Sequence, residues 1–192
     1  ELEKLTLEDL KPSSRKYPYV DFKFEQAIGK EILKVENLTK KGMFKNLSFN
    51  VEPDQKIVFL SNNSLVLTTL FNILMGKEEA DSGTFHFGKT IKPSYLPQDN
   101  REFFDNCHLS IVDWLRQFSK DKTESYVRGW LGRMLFSGEE SLKEVNVLSG
   151  GEKVRCMLAK LMLEGGNLLI LDEPINHLDL ESITSLNKVI IN

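Results

Sequence analysis

The stretch from Leu148 to Asp179, LSGGEKVRCMLAKLMLEGGNLLILDEPINHLD, constrains the fold more than any other part of the chain. Leu148-Ser149-Gly150-Gly151-Glu152 sets a small hydroxyl and two glycines at the opening of a helical pattern. Glycine lets a backbone approach a ligand closely, and the unpaired N–H groups and positive dipole end of a helix start favour an anion. Val154, Leu158, Leu161 and Met162 then recur at helical spacing, with Arg155 and Lys160 expected on the wetter side and Gly165-Gly166 ending the helix. The apolar run Leu168-Leu169-Ile170-Leu171 reads as a buried parallel strand. It delivers Asp172 and Glu173 to the carboxyl end of that strand, where open α/β sheets bind ligands, and Pro174 stops it. Two carboxylates there suit a Mg²⁺–phosphate site: Asp172 would hold the ion through water and Glu173 would polarise an attacking water. A blander alternative is a buried strand with two acids at a solvent-facing tip.

LSGGE and LLILDE at this spacing in one run are far more specific than either alone. The stretch resembles the signature motif, Walker B motif and D-loop (Leu178-Asp179) of ATP-binding cassette ATPases. LSGGE followed by Lys153 and Arg155, and the NHLD ending, look most like the ABC-F family, soluble twin-cassette proteins that act on the ribosome. The resemblance implies an α/β fold of the P-loop NTPase-like kind, with a mixed sheet, an antiparallel β subdomain and a helical subdomain at about residues 101–160. It also implies ATP and Mg²⁺ as cofactors, and a cytoplasmic location.

Composition is permissive. A length of 192 residues suits one domain with a sizeable core and a short extension, and 41% hydrophobic with 28% charged residues is ordinary for a globular protein. A net charge of −3 gives no overall bias toward nucleic acid, so any RNA contact must come from a local patch. Cys107 and Cys156 are too few for a disulfide frame or a zinc site. No apolar run approaches the roughly twenty residues of a membrane span, so no membrane partner is expected, and no secretory leader is visible. The chain opens at Glu1 without methionine and stops just after a helical pattern, which reads as a piece of something longer.

Residues 1–29 stand apart. Pro12 and Pro18, Ser13-Ser14, the cations Lys11, Arg15, Lys16 and Lys23, and the rings Tyr17, Tyr19, Phe22 and Phe24 suggest an extended connector. Its cations and rings could meet RNA by phosphate contacts and stacking, but are better explained as a linker whose rings pack on the adjacent domain. The resemblance makes it the tail of an inter-cassette linker, with the nucleotide-binding domain over 30–192. Short strands are expected at Ile32–Val35, Leu47–Val51, Lys56–Leu60 and Thr84–Phe87. Phe44 is the one candidate for stacking on adenine, and reads more simply as a core residue.

The strand–loop–helix position that in such NTPases carries G-x-x-x-x-G-K-[ST] here reads Ser61-Asn62-Asn63-Ser64-Leu65-Val66-Leu67-Thr68-Thr69. Ser61 and Val66 stand for the two glycines, and Val66 is β-branched where positive φ is a usual requirement. Leu67 stands for the lysine, removing a charge-assisted contact worth roughly 1.5–3 kcal/mol. Thr68 keeps a hydroxyl for Mg²⁺, at the expected start of a helix over 68–75. Tyr95-Leu96-Pro97-Gln98-Asp99 matches the Q-loop, with the Gln98 amide oxygen as a further Mg²⁺ ligand. Residues 101–147 read as helices, capped by Ser110 and Thr123, with the second running Tyr126–Phe136. Trp114, Leu115, Phe118, Trp130, Leu131, Met134 and Leu135 form one apolar face there. His86 reads as a surface strand residue, and His177 as part of the loop after Glu173.

Cassettes of this kind work as head-to-tail pairs, one partner's phosphate loop and Walker B holding ATP while the other's signature closes on the γ-phosphate. With an intact signature and a degenerate phosphate loop, the leading expectation is the second cassette of an ABC-F ATPase. Its own site would be weak, and Ser149, Gly150 and Gly151 would complete the site of another cassette. Two alternatives stay open: the ATPase subunit of a membrane transporter, and a non-hydrolytic interaction module.

Overall fold

A computed structural model of the chain describes residues 16–23, 27–176 and 178–191. The Phe24 ring, Arg15, Lys11, Pro12, Ser13-Ser14 and His177 therefore lie outside the described residues. Strand β1 (Leu33–Lys40) pairs antiparallel with β2 (Phe44–Val51) on one side. Helix α1 (Ser64–Leu74) follows, and then β3 (Ser82–Phe87), which pairs with the other side of β1 to give the sheet order β2-β1-β3. The register of both pairs shifts around Asn37, which is left-handed at φ 51°. Asparagine tolerates that conformation better than a branched residue.

Strand β4 (Pro93–Leu96) opens a second, parallel sheet with β5 (Leu168–Leu171), with Tyr95 beside Ile170 and Leu96 beside Leu171. Between these strands come α2 (Arg101–Phe104), α3 (Ile111–Arg116), α4 (Glu124–Arg133), two short 3₁₀ turns and α5 (Gly150–Glu164). Helix α6 (Leu180–Ile191) comes last. Among the described residues, no helix is long and apolar enough to cross a membrane.

Side chains alternate across β4 and β5. Tyr95, Leu168 and Ile170 pack into a core shared by the antiparallel sheet and α1, with Leu70, Phe71, Ile73 and Leu74. Leu96, Leu169 and Leu171 face a second core built by α3, α4 and α5 around Trp114, Leu131, Met157 and Leu161. The parallel pair is thus the seam between two apolar cores, and its carboxyl ends open at their junction. The mixed α/β architecture with antiparallel and helical regions follows the fold class read from the sequence.

Several expectations need correction. Lys56–Leu60 joins no ladder: Phe59 is anchored between Phe49 and Phe71 (ring centroids 5.3 and 5.9 Å), while Val58 and Leu60 are 80% and 91% exposed. Helix α1 begins at Ser64, a full turn before Thr68, because the Asn63 side chain accepts from Leu65 N–H and caps it there. Val66 is therefore helical rather than at positive φ. Helix α4 stops at Arg133 instead of Phe136, since Leu135 is left-handed (φ 66°) and Phe136 N–H returns to the Leu131 carbonyl. Thr123 precedes that helix without a side-chain capping bond.

Lys160 is not on the wet side of its helix. It is buried, pairs with Glu164 at 2.9 Å, and lies over the Phe103 and Phe118 rings at 5.2 and 4.9 Å. Of the rings in residues 1–29, Phe22 packs on the helical core, whereas Tyr17 and Tyr19 are about half exposed. Val20 is buried in the helical core with Phe22 against it, and Tyr19 holds to Arg133 by backbone hydrogen bond and ring contact. Phe44 packs at the edge of the sheet core, and His86 pairs with Glu31 on the surface at 2.8 Å.

Gly83 has φ 86°, and a Cβ built there would sit 2.3 Å from the Asn37 carbonyl oxygen, whereas one on Gly76 (φ 71°) would meet nothing within 4 Å. Gly83→Ala should lower unfolding stability well beyond about 1 kcal/mol, and clearly more than Gly76→Ala, as measured by urea denaturation.

Candidate functional site

The carboxyl ends of β4 and β5 gather four of the expected residues. Parallel pairing ends with Asp172 N–H bonded to the Leu96 carbonyl at 3.0 Å, which holds Asp172 next to the turn carrying Gln98. Helix α1 brings in the third element: Thr68 Oγ1 lies 2.7 Å from Asp172 Oδ2 and 3.3 Å from Gln98 Oε1. A hydroxyl has one proton, so the shorter contact to the carboxylate takes it and leaves a lone pair of Gln98 Oε1 facing the same point. Gln98 Nε2 donates to Glu173 Oε2 at 2.9 Å, and Asn176 Nδ2 donates to the same oxygen. Glu173 itself is left-handed (φ 47°), a conformation that costs a non-glycine residue energy and recurs at functional sites.

Asp172 is only 2% exposed. Burial pushes its carboxyl above the usual range, the Thr68 and Tyr95 hydrogen bonds pull it back, and the neighbouring Glu173 charge adds to the rise. Tyr95 donates its hydroxyl to Asp172 Oδ2 at 3.3 Å. Burial, and then the Asp172 charge, push that phenol far up, so it stays a donor. Thr68, Gln98 and Asp172 thus present three hard oxygens at one point, the donor chemistry that Mg²⁺ prefers.

The phosphate-loop positions are less favourable. Ser61, Asn62, Asn63, Ser64 and Leu65 are exposed, Val66, Leu67 and Thr68 are half-buried, and Thr69 faces the core. Three of the loop's N–H groups are taken locally: Asn63 N–H bonds Ser61 Oγ, Leu65 N–H bonds Asn63 Oδ1, and Val66 N–H bonds the Asn63 carbonyl, each at 3.1 Å. Asn63 therefore occupies the helix start that would otherwise offer N–H groups to an anion.

The signature residues sit apart from this cluster. Leu148 is buried as an anchor, while Ser149 and Gly150 are exposed and Gly151 and Glu152 half-buried at the start of α5. Ser149 and Glu152 form a reciprocal capping box, with Ser149 N–H and Oγ both donating to Glu152 Oε2 at 2.8 and 2.7 Å. Leu178 packs on the helical core, and Asp179 Oδ2 accepts from Arg155 Nη1 at 2.9 Å. Three partners were not assigned from the sequence: Tyr95 and Asn176, which hold the two acids, and Arg155. The register explains the first, since Asp172 lies two residues beyond Ile170, on the Tyr95 face of the sheet.

The profile of the ABC transporter family matches residues 44–176, more than half of the chain. The chain belongs to this ATP-binding cassette family. Cassettes of the family bind ATP and pair with another cassette. Over its whole length the chain is 58% identical to an uncharacterized ABC transporter ATP-binding protein, YkpA, of Bacillus subtilis, covering 36% of that protein. It is 39% identical over 99% of its length to the ATP-binding protein YbiT of Escherichia coli O157:H7, covering 37% of it. Over 85% of the chain it is 34% identical to the energy-dependent translational throttle protein EttA of Escherichia coli K12, covering 31% of it. The cassette chain thus spans about a third of the length of these relatives. Among solved structures, an ATP-binding cassette dimer bound to ADP and phosphate after hydrolysis aligns with a TM-score of 0.62 at 18% identity, over 83% of each chain. An ABC transporter ATP-binding protein from Pyrococcus furiosus aligns at 0.65 and 19%, over 83% of this chain and 84% of that one.

Thr68→Val in this cassette keeps side-chain shape and removes the hydroxyl that the buried Asp172 accepts from. It should cost about 1–3 kcal/mol of unfolding free energy, measured in urea.

Proposed function

We propose that this chain is the second cassette of a soluble ABC-F ATPase that acts on the ribosome in the cytoplasm, built with unequal nucleotide sites. The observation that carries this reading is the contrast between its two ends. The phosphate loop commits three of its N–H donors to Asn63 and Ser61 and has Leu67 in place of a cation. The signature turn Ser149-Gly150-Gly151, by contrast, keeps its hydroxyl and both glycines at a helix start where Ser149 and Gly150 are exposed, with Glu152 capping Ser149. The name of EttA, a translational throttle, supports translation as the process.

On this reading Leu148, Ser149, Gly150, Gly151 and Glu152 act in trans, with Leu178 and Asp179 beside them as the D-loop. In the chain's own site, ATP would lie against Ser61–Thr69. Mg²⁺ would be held by Thr68, Gln98 and Asp172, where it would neutralise phosphate charge. Glu173 is the catalytic base, and Gln98 and Asn176 orient its carboxylate. The missing lysine leaves that site binding nucleotide weakly, with slow or no turnover.

The 192-residue chain alone should show little ATP hydrolysis, and Leu67→Lys should tighten Mg²⁺-ATP binding in a calorimetric titration. In the longer protein, Ser149→Ala should lower turnover by at least about tenfold. Glu173→Gln should change it far less. Brisk hydrolysis by the chain alone that disappears in Glu173→Gln would refute the unequal-site reading. Absence of binding at millimolar nucleotide, unchanged by Leu67→Lys, would instead establish a pure interaction module. A second reading, the ATPase subunit of a transporter, draws on the printed name of YkpA. The complete reading frame discriminates, since an upstream cassette joined by a linker excludes it.

A further inference from the structure

One side chain ties the start of α5 to the start of α6. Arg155, on the second turn of α5, donates from Nη1 to Asp179 Oδ2 at 2.9 Å. Asp179 is already committed to α6: Oδ1 accepts Ser182 N–H at 2.8 Å, and its carbonyl accepts Ile183 N–H at 3.0 Å. It is therefore the cap of that helix and the terminus of the ion pair at once.

The pair is not a loose surface contact. Only 16% of the Arg155 side chain is exposed, against 43% of the Asp179 side chain, and its guanidinium lies 5.2 Å from the centroid of the Phe136 ring. Burial pushes the Asp179 carboxyl up, but the Ser182 and Arg155 contacts outweigh it and hold the group below the usual carboxylate range, hence ionised at neutral pH.

Packing alone does not account for an arginine here. Its Nε is buried with no hydrogen-bond partner. A methionine of similar bulk would cover Phe136 without that unsatisfied donor, and apolar replacements of buried ion pairs are often neutral or stabilising. What a methionine could not do is hold Asp179 at a set distance and angle from the signature turn, one and a half turns back along the same helix.

We propose that Arg155 is a positioning residue that fixes Asp179 relative to Ser149-Gly150-Gly151, so that the signature turn and the D-loop approach a partner cassette's nucleotide as one rigid unit. This rests on the reading that both motifs serve the partner's site. The strut lies outside the Thr68–Asp172–Glu173 cluster and acts only through Asp179. Loss of the strut leaves ATP capture by the partner's phosphate loop intact and lowers the fraction of closures with both motifs in place.

The test uses the full-length protein that carries this cassette, with Arg155→Met, Arg155→Lys, Asp179→Asn and the Met/Asn double variant. Arg155→Met and Asp179→Asn should each lower kcat about fivefold or more, with KM for ATP unchanged. The double variant should be no slower than the slower single one, and Arg155→Lys should recover part of the loss. Hydrogen exchange at the Ser182 and Ile183 amides should speed up in Arg155→Met, with the melting temperature of the protein held within a few degrees. Losses that multiply in the double variant, a wild-type kcat in Arg155→Met, or unchanged exchange at Ser182 would overturn the proposal. Where turnover is too low in both single variants to compare, the exchange measurement decides alone. Failure of the underlying functional reading shows separately, as wild-type turnover in Ser149→Ala.

Discussion

The pairing of β4 with β5 is the interaction on which the rest depends. Each strand is only four residues long, and each is greasy on both faces because each divides two cores. In parallel register the two chains end side by side, and the last bond of the ladder, Asp172 N–H to Leu96 carbonyl, sets the height at which the acids emerge. A slip of one residue would send Asp172 to the helical core and Leu171 to the mouth. Hydrophobic burial on both sides therefore decides where a carboxylate stands, without any polar group having to specify it.

Around that seam the polar residues serve as guides. Tyr95 and Thr68 converge on one oxygen of Asp172, while Gln98 and Asn176 converge on one oxygen of Glu173. Each acid thus keeps its other oxygen uncommitted by these contacts. The left-handed backbone at Glu173 turns the chain off the strand at once, so that two consecutive acids can point into one small volume instead of to opposite faces. That geometry is the local reason a strained residue is tolerated at this position.

Much of this was legible in the residues, because the decisive signals are local. The capping residue Ser149, the terminator Gly165 and the uninterrupted run Leu168–Leu171 each encode their own structure within a few positions. Tertiary contacts were harder to see. Lys160 has the chemistry of a surface residue, and only the convergence of Phe103, Phe118 and Glu164 makes its burial acceptable. Lys56–Leu60 has strand-type residues, yet it joins no β-ladder among the described residues. The start of α1 was displaced by a single side chain, Asn63, acting two residues ahead of itself. In the site, Thr68, Gln98, Asp172 and Glu173 could be chosen by type and spacing, whereas Tyr95, Asn176 and Arg155 emerge only once the register and the helix packing are known.

The mouth of α5 already has an incumbent. Glu152 Oε2 takes both the amide and the hydroxyl of Ser149, so the place where a helix start welcomes negative charge is filled by the chain's own carboxylate. An outside anion arriving there does not find idle donors. It displaces a tethered competitor, and the helix exchanges one counter-charge for another. Only a ligand bearing more charge than a single carboxylate, or brought in by other contacts, gains from the swap.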